Sequence, residues 1–92
     1  MEIEYDEAKS RRNLTERGIS FALAARIFRN EAGNVIQEDT RRDYGEHRFR
    51  VMGEIKGRLF VVVYTLRDGR YRIISARKAN RREQSAYYQD HP

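Results

Sequence analysis

The stretch Leu59–Ala79, LFVVVYTLRDGRYRIISARKA, decides the fold of this 92-residue chain. It opens with an apolar run of β-branched and aromatic residues, which is typical of a strand near the middle of a sheet. Asp68-Gly69 follows and favours a two-residue hairpin turn, because both central residues of that turn need a positive φ. Tyr71–Ala76 reads as the return strand and carries Arg72 in an otherwise apolar run. The hairpin therefore predicts a sheet whose strands carry guanidinium groups.

The sequence on either side of this hairpin adds three helices and three strands. Asp6 and Ser20 are suitable N-caps, and Gly18 is a suitable stop for the helix between them. The predicted elements are a short edge strand at 2–5, helices at about Glu7–Arg17 and 21–28, strands at Val35–Asp39 and Arg48–Lys56, the hairpin, and a helix at Ala79–Gln89. The order β-α-α-β-β-β-β-α predicts one α+β domain over 1–92, with two layers, a largely antiparallel sheet and helices on one face.

The two turns also predict which side chains share a face of the sheet. A two-residue turn at Asp68-Gly69 places Thr65 opposite Arg72. With a second two-residue turn at Gly57, the core face collects Phe49, Val51, Ile55, Phe60, Val62, Tyr64 and Leu66. The opposite face then collects Arg48, Arg50, Thr65, Arg67 and Arg72 around Val61, Val63 and Ile74. A three-residue loop at Gly57 would exchange the two faces, because side chains alternate along a strand.

The charge of the chain points to an anionic partner. Nineteen Lys and Arg stand against 14 Asp and Glu, for a net charge of +5, which favours nucleic acid, an acidic protein or both. The alternative is that the charge only keeps the protein soluble. The absence of cysteine excludes disulfides and thiolate metal sites. No apolar leader or membrane-length stretch is present, so we expect a cytoplasmic protein without a membrane partner.

An ordered set of short motifs extends through nearly the whole chain. It comprises Tyr5-Asp6-x-x-Lys9, Asn13, Gly18-Ile19-Ser20-Phe21, Asp39-x-Arg41-x-x-Tyr44-Gly45-Glu46-x-Arg48, Gly53, Thr65-x-Arg67, Arg72-Ile73-Ile74-Ser75-Ala76-Arg77-x-Ala79 and Glu83. This set resembles the BrnT toxins. The chain departs from the family at Glu16-Arg17-Gly18, where Lys-His-Gly is common, so no catalytic role is expected for the missing histidine.

The resemblance implies a type II toxin, which is a small RelE-like ribonuclease that inhibits translation by cutting RNA. It also implies neutralisation by a cognate BrnA-type antitoxin, encoded beside the toxin. In that family the antitoxin carries a DNA-binding ribbon-helix-helix part, and the complex represses its own operon. The expected partners are therefore RNA and this antitoxin, and no cofactor is expected.

Metal-free RNA cleavage needs a base for the 2′-OH, cations for the phosphorane and an acid for the leaving 5′-oxygen. Its products are a 2′,3′-cyclic phosphate and a 5′-hydroxyl. Arg67 and Arg77, which end neighbouring strands, are predicted to clamp the scissile phosphate. Glu46 or His47 would orient the 2′-OH, and Tyr44 would stack on a base. The catalytic candidates are Arg67, Arg77, Arg48, Glu46 and Tyr44, and the RNA-binding candidates are Arg72, Arg50, Lys78, His47 and Tyr88.

Each of these assignments has a structural alternative. Arg67 and Arg77 can be solvated strand ends or ion-pair partners of Asp68 or Glu83, and Glu46 can simply pair with Arg48. Tyr87 and Tyr88 lie on adjacent helix faces, so at most one of them can pack in the core. No spacing of His, Asp and Glu matches a metal-ligand set. The rival function is a non-catalytic module that binds nucleic acid or an acidic protein.

Overall fold

A computed structural model describes residues 2–29, 31–41, 43 and 45–90. It is an α+β structure with the predicted order of elements. The strands are β1 (Ile3–Glu4), β2 (Val35–Glu38), β3 (Arg48–Ile55), β4 (Arg58–Arg67) and β5 (Arg70–Lys78); the helices are α1 (Glu7–Arg17), α2 (Phe21–Ala24) and α3 (Arg81–Asp90). Two 3-10 helices, Ala25–Arg29 and Glu31–Gly33, follow α2. Within the described ranges, none of the helices has the length and apolar composition that a membrane crossing requires.

The five strands form one sheet in the order β1-β5-β4-β3-β2, in which only the β1–β5 pair is parallel. Lys56 and Asp68 have a φ of 52°, and the glycine after each of them also has a positive φ, as two-residue turns at these points require. Both predicted turn lengths are therefore confirmed. Thr65 lies opposite Arg72, as predicted.

The helices do not all lie on one face of the sheet. The main core packs Ile19, Phe21, Ala24 and Ile27 against the sheet face that carries Val51 and Val62. The helix α3 lies against the other face, where Tyr87 packs with Leu59 and Val61. The prediction of helices on one face thus holds for α1 and α2, and α3 forms a third layer at one end. Leu66, predicted in the core, is 52% exposed because it lies one residue from the end of β4.

Polar side chains dock the two N-terminal helices. Asn13 donates through Nδ2 to the carbonyls of Ile19 and Ala76, at 2.8 and 2.9 Å. Ser10 accepts from the backbone N–H of Phe21 at 2.9 Å. These buried hydrogen bonds explain how α1, which has few apolar residues, is fixed to β5. The helix predicted at 21–28 is α-helical only through Ala24 and then tightens into the 3-10 helix.

Candidate functional site

The sheet face opposite α1 and α2 carries most of the predicted site residues. The strand register arranges them in rows, with Arg48, Thr65 and Arg72 in one row and Arg50, Val63 and Ser75 in the next. A third row contains Met52, Val61 and Arg77. Side chains two residues apart along a strand lie on the same face, so these rows are about 7 Å apart. We call this surface the cationic face.

A β-bulge brings Arg77 onto the cationic face. Val63 pairs with Ser75 but Tyr64 pairs with Ile73, so Ile74 is the extra residue on β5. Without this insertion Arg77 would lie opposite Phe60, on the core face, because one extra residue inverts the alternation of side chains. The bulge leaves Lys78 opposite Phe60 instead. Lys78 is therefore on the other side of the sheet from Arg67 and Arg77.

The carboxylate of Glu46 lies between two guanidinium groups. Its Oε1 is 3.4 Å from Arg48 Nε, and its Oε2 is 4.0 Å from Arg67 Nη2. The Glu46 side chain is 32% exposed, so the carboxylate remains open to solvent and to a ligand. The residues around it enclose a small cleft of about 70 Å³, lined by Asp6, Lys9, Glu46, Arg48, Thr65, Arg67, Arg72, Ile73 and Ile74. We call it the Glu46 cleft.

Secondary structure holds the walls of the Glu46 cleft in place. Thr65 donates from Oγ1 to the carbonyl of His47 at 2.6 Å, which fixes the chain leaving Glu46. Arg72 lies 3.8 Å from a carboxylate oxygen of Glu4 on β1. At the start of α1, the backbone N–H of Lys9 donates to Asp6 and lowers the pKa of that carboxyl. Lys9 and Arg72 add positive charge, whereas Asp6 adds a fixed negative charge at the rim.

His47 does not point into the Glu46 cleft. Its side chain is 83% exposed, and its Nδ1 lies 2.9 Å from Oε1 of Glu38. It lines a neighbouring, open depression of about 570 Å³, formed by the segment between β2 and β3 with Glu38, and this depression shares Glu46 and Arg48 with the Glu46 cleft. Tyr44, which belongs to the same segment, lies outside the described residues.

Arg77 is held by an ion pair at the far end of the cationic face. It donates to both carboxylate oxygens of Glu83, at 2.7 and 2.9 Å. Hydrogen bonding within this pair raises the pKa of Arg77 and lowers that of Glu83. Arg77 lies opposite Val61, six residues along β4 from Arg67, which is about 20 Å at the rise of a strand. The predicted clamp of Arg67 and Arg77 on one phosphate is therefore wrong.

A second concave region lies between α3 and the strands β2, β3 and β4. It has a volume of about 350 Å³ and is lined by Val35, Gln37, Arg50, Met52, Val61, Arg82, Glu83, Ala86, Tyr87 and Asp90. We call it the α3 groove. Tyr87 is buried in its wall and donates to the carbonyl of Gly33. Tyr88 is 40% exposed but donates to Glu54 at 2.7 Å and lines neither this groove nor the Glu46 cleft.

A buried carboxylate supports the segment before β3. The Asp39 side chain is fully buried and accepts two hydrogen bonds from Arg41, each 2.8 Å long. These bonds lower the pKa of Asp39 to about 2. The backbone N–H of Asp39 donates to the carbonyl of Arg48 at 2.7 Å, so this ion pair is tied to the start of β3.

The Glu46 cleft can both accept a proton and hold an anion. A carboxylate is a general base, and adjacent guanidinium groups stabilise negative charge that develops on a phosphate. Within the described ranges, no group of three or more His, Asp or Glu side chains is arranged to hold a metal ion. Sequence reasoning found Glu46, Arg48, Arg67 and Arg72 but not Lys9, which was visible only as part of the family motif.

The fold and this site define a small basic α+β domain with a carboxylate–guanidinium cleft on its sheet. A family model described as the ribonuclease toxin BrnT of type II toxin-antitoxin systems matches residues 5–83. The chain therefore belongs to the BrnT family of ribonuclease toxins. Membership implies an antitoxin partner and an RNA target. No curated protein matches the chain closely enough to count as a relative.

Proposed function

We propose that the protein is a metal-independent endoribonuclease whose catalytic centre is the Glu46 cleft. The observation that carries this proposal is the position of the Glu46 carboxylate between Arg48 and Arg67, at 3.4 and 4.0 Å. The base and the cations that phosphodiester cleavage needs are thus present in one cleft. Guanidinium groups supply there the positive charge that a metal ion supplies in other nucleases.

In the proposed reaction, Glu46 accepts the proton of the ribose 2′-OH as the 2′-oxygen attacks the adjacent phosphorus. Arg48 and Arg67 then stabilise the one additional negative charge that the pentacoordinate phosphorane carries on its oxygens compared with the phosphodiester. The bond to the 5′-oxygen breaks, and this oxygen takes a proton from solvent water. The products are a 2′,3′-cyclic phosphate and a 5′-hydroxyl, and a later proton loss to solvent returns Glu46 to its ionised form.

The other cations of the face would bind the RNA on either side of the scissile phosphate. Arg72 and Lys9 line the same cleft, and Arg50 lies one row beyond Arg48. Tyr44 and His47, from the segment before β3, remain candidates for contacts with a flanking base. Arg77 acts in this proposal by holding α3 through Glu83, and Lys78 and Tyr88 are not assigned a contact with RNA.

The antitoxin in this proposal is of the BrnA type and neutralises the toxin by covering the Glu46 cleft. A basic face attracts an acidic or anionic partner over a distance, which would favour rapid capture of the toxin. Operon DNA would then be bound through the ribbon-helix-helix part of the antitoxin. Because binding at the cleft excludes RNA, the neutralised complex should neither bind nor cut single-stranded RNA.

The test is cleavage of single-stranded RNA by the purified protein in EDTA, with chemical analysis of the ends. We expect cyclic phosphate and 5′-hydroxyl ends that Arg67→Ala abolishes. The matched control is Arg11→Ala, which removes an exposed guanidinium of α1 that is two residues from Lys9 and therefore on a different face of the helix. RNA binding without new ends would contradict the proposal and favour the non-catalytic module. Cleavage that appears only with added metal would contradict metal independence.

A further inference from the structure

The α3 groove lies on the same cationic face as the Glu46 cleft but belongs to a different part of the sheet. Its floor is apolar, because Val35, Met52 and Val61 form one row across β2, β3 and β4. Arg50 lies one row from Arg48, and Met52 lies one row from Arg50. The apolar floor is thus about 13 Å from the row of the Glu46 cleft. One RNA strand can therefore reach both.

A row of polar side chains that form only a long hydrogen bond with each other borders this apolar floor. Gln37 and Arg50 face each other on β2 and β3, and the hydrogen bond between them is long, at 3.5 Å. Arg50 Nε is buried and has no hydrogen-bond partner among the described residues. Leaving a buried donor unpaired is unfavourable. An arrangement of this kind is suited to a ligand that brings acceptors to the guanidinium.

The rim of the groove carries a further cation. Arg82, in the first turn of α3, lines the groove and forms no ion pair with the described residues. Glu83 also lines the groove, but its carboxylate accepts from Arg77 and from the backbone N–H of Asn80. Asp90 is at the C-terminal end of the groove. The positive charge of Arg82 is therefore available to a ligand, and it lies near the start of α3, next to the row of Gln37 and Arg50.

We propose that the α3 groove is an RNA subsite that binds a purine base close to the scissile phosphate. The base would stack on the row of Met52 and Val61, with its polar edge toward Gln37 and Arg50 and a phosphate near Arg82. Purines suit these groups, because arginine pairs with the O6 and N7 acceptors of guanine and glutamine pairs with the N6 and N7 atoms of adenine. This inference rests on the proposed ribonuclease function and adds a base preference to it.

The binding test uses the wild-type protein and the four nucleoside 5′-monophosphates, followed by NMR. We expect AMP and GMP to shift the side-chain amide signals of Gln37 with an affinity at least about fivefold higher than that of CMP or UMP. Ala86→Trp fills the groove from an exposed position on α3 and should abolish these shifts. Ser85→Trp is the matched control, because Ser85 is exposed on α3 but does not line the groove. Equal shifts with pyrimidines, or shifts that survive Ala86→Trp, would overturn the proposal.

The cleavage test maps the cut positions on a random RNA pool. Wild-type protein and Ser85→Trp should prefer a purine at one fixed position relative to the cut, and Ala86→Trp should lose that preference while still cleaving. An unchanged base preference around the cut in Ala86→Trp would overturn the proposal. If this variant also failed to bind the antitoxin, the groove would be a protein-binding site instead of an RNA subsite. Purine binding by a wild-type protein that cuts no RNA would remove the ribonuclease proposal and leave the subsite.

Discussion

Arg77 donates two hydrogen bonds to Glu83, at 2.7 and 2.9 Å, and joins the end of β5 to the first turn of α3. The same carboxylate accepts from the backbone N–H of Asn80, and Asn80 Oδ1 accepts from the backbone N–H of Glu83, both at 2.8 Å. Glu83 thus completes a reciprocal N-terminal cap and an ion pair together. Because α3 forms one wall of its groove, this pair also sets the shape of the cationic face.

Replacing Glu83 should loosen α3. Glu83→Ala removes both the cap and the partner of a half-buried guanidinium, and we expect the free energy of unfolding to fall by about 1–3 kcal/mol. The control is Glu16→Ala in α1, which removes an exposed glutamate and should change stability by less than about 0.5 kcal/mol. Urea unfolding followed by circular dichroism measures both. An equal effect of the two substitutions would show that the pair does not hold α3.

Stability should depend on pH through Asp39. Its pKa is about 2 in the folded protein, below the ordinary value of 3.8, so folding favours the ionised form. The stabilisation is therefore complete above about pH 4 and is lost as the pH falls toward 2. Asp39→Asn should be less stable than wild type at pH 7 and should lose less stability between pH 4 and pH 2. Urea unfolding at pH 7, 4 and 2.5 tests this, and parallel pH profiles for the two proteins would contradict it.

Gly53 makes room for the segment before β2. A Cβ added there would collide with the side-chain oxygen of Asn34 and approach Ile27 Cγ1 to 3.2 Å. Asn34 in turn donates to the carbonyl of Ile27 at 2.8 Å. Gly53→Ala should therefore destabilise the protein by about 1–3 kcal/mol.

A double-mutant cycle separates this collision from other effects of Gly53→Ala. If Asn34 is the obstacle, the cost of Gly53→Ala should be clearly smaller in an Asn34→Ala background. Additive free energies in the urea-unfolding cycle would mean that the two residues do not interfere.

The turns carried most of the fold information in the sequence. Asp68-Gly69 and Lys56-Gly57 fix the lengths of both hairpins, and those lengths fix the row of Arg48, Thr65 and Arg72. The bulge at Ile74 could not be read in the same way, because the strand RYRIISARK contains no glycine or proline to mark it. The face of Arg77 therefore came only from the structure.

The sheet face on which α3 packs could not be predicted from the sequence either. Its apolar residues are Ala86, Tyr87 and Tyr88, which are too few to indicate a sheet face. Two of the sequence alternatives did describe local contacts correctly, namely the pairing of Arg77 with Glu83 and of Glu46 with Arg48. The prediction that at most one of Tyr87 and Tyr88 packs in the core is also confirmed, because Tyr87 is buried and Tyr88 is exposed. The separation of Arg67 and Arg77, in contrast, follows from the predicted turn at Asp68-Gly69. That turn pairs Arg67 with Arg70 and so places Arg77 near the start of β4, and the bulge changes its partner only from Phe60 to Val61. The predicted clamp overlooked this consequence of the antiparallel pairing.

RNA binding should depend on salt in a manner that identifies the phosphate contacts. The slope of the logarithm of the association constant against the logarithm of salt concentration changes by about 0.7 for each phosphate contact of single-stranded nucleic acid. Arg72→Ala should weaken binding and reduce the slope by about this amount. Arg11→Ala, on a different face of α1 from Lys9, should leave the slope unchanged. The slopes can be measured by fluorescence anisotropy with a labelled RNA in EDTA, and both substitutions are made in a Glu46→Gln background to prevent cleavage. Equal slopes for the two arginine variants would place Arg72 away from the RNA.

The most direct test of the account is the single-turnover rate of RNA cleavage by Glu46→Gln in EDTA. Glutamine keeps the size of the side chain and an oxygen for Arg48 but cannot act as the base. We predict a loss of about a hundredfold or more in the rate of cyclic phosphate formation, with a melting temperature close to that of wild type. RNA affinity should be equal to or higher than that of wild type, because the substitution removes a negative charge beside Arg48 and Arg67. Cleavage by this variant at the wild-type rate would contradict the assignment of the Glu46 cleft as the catalytic centre.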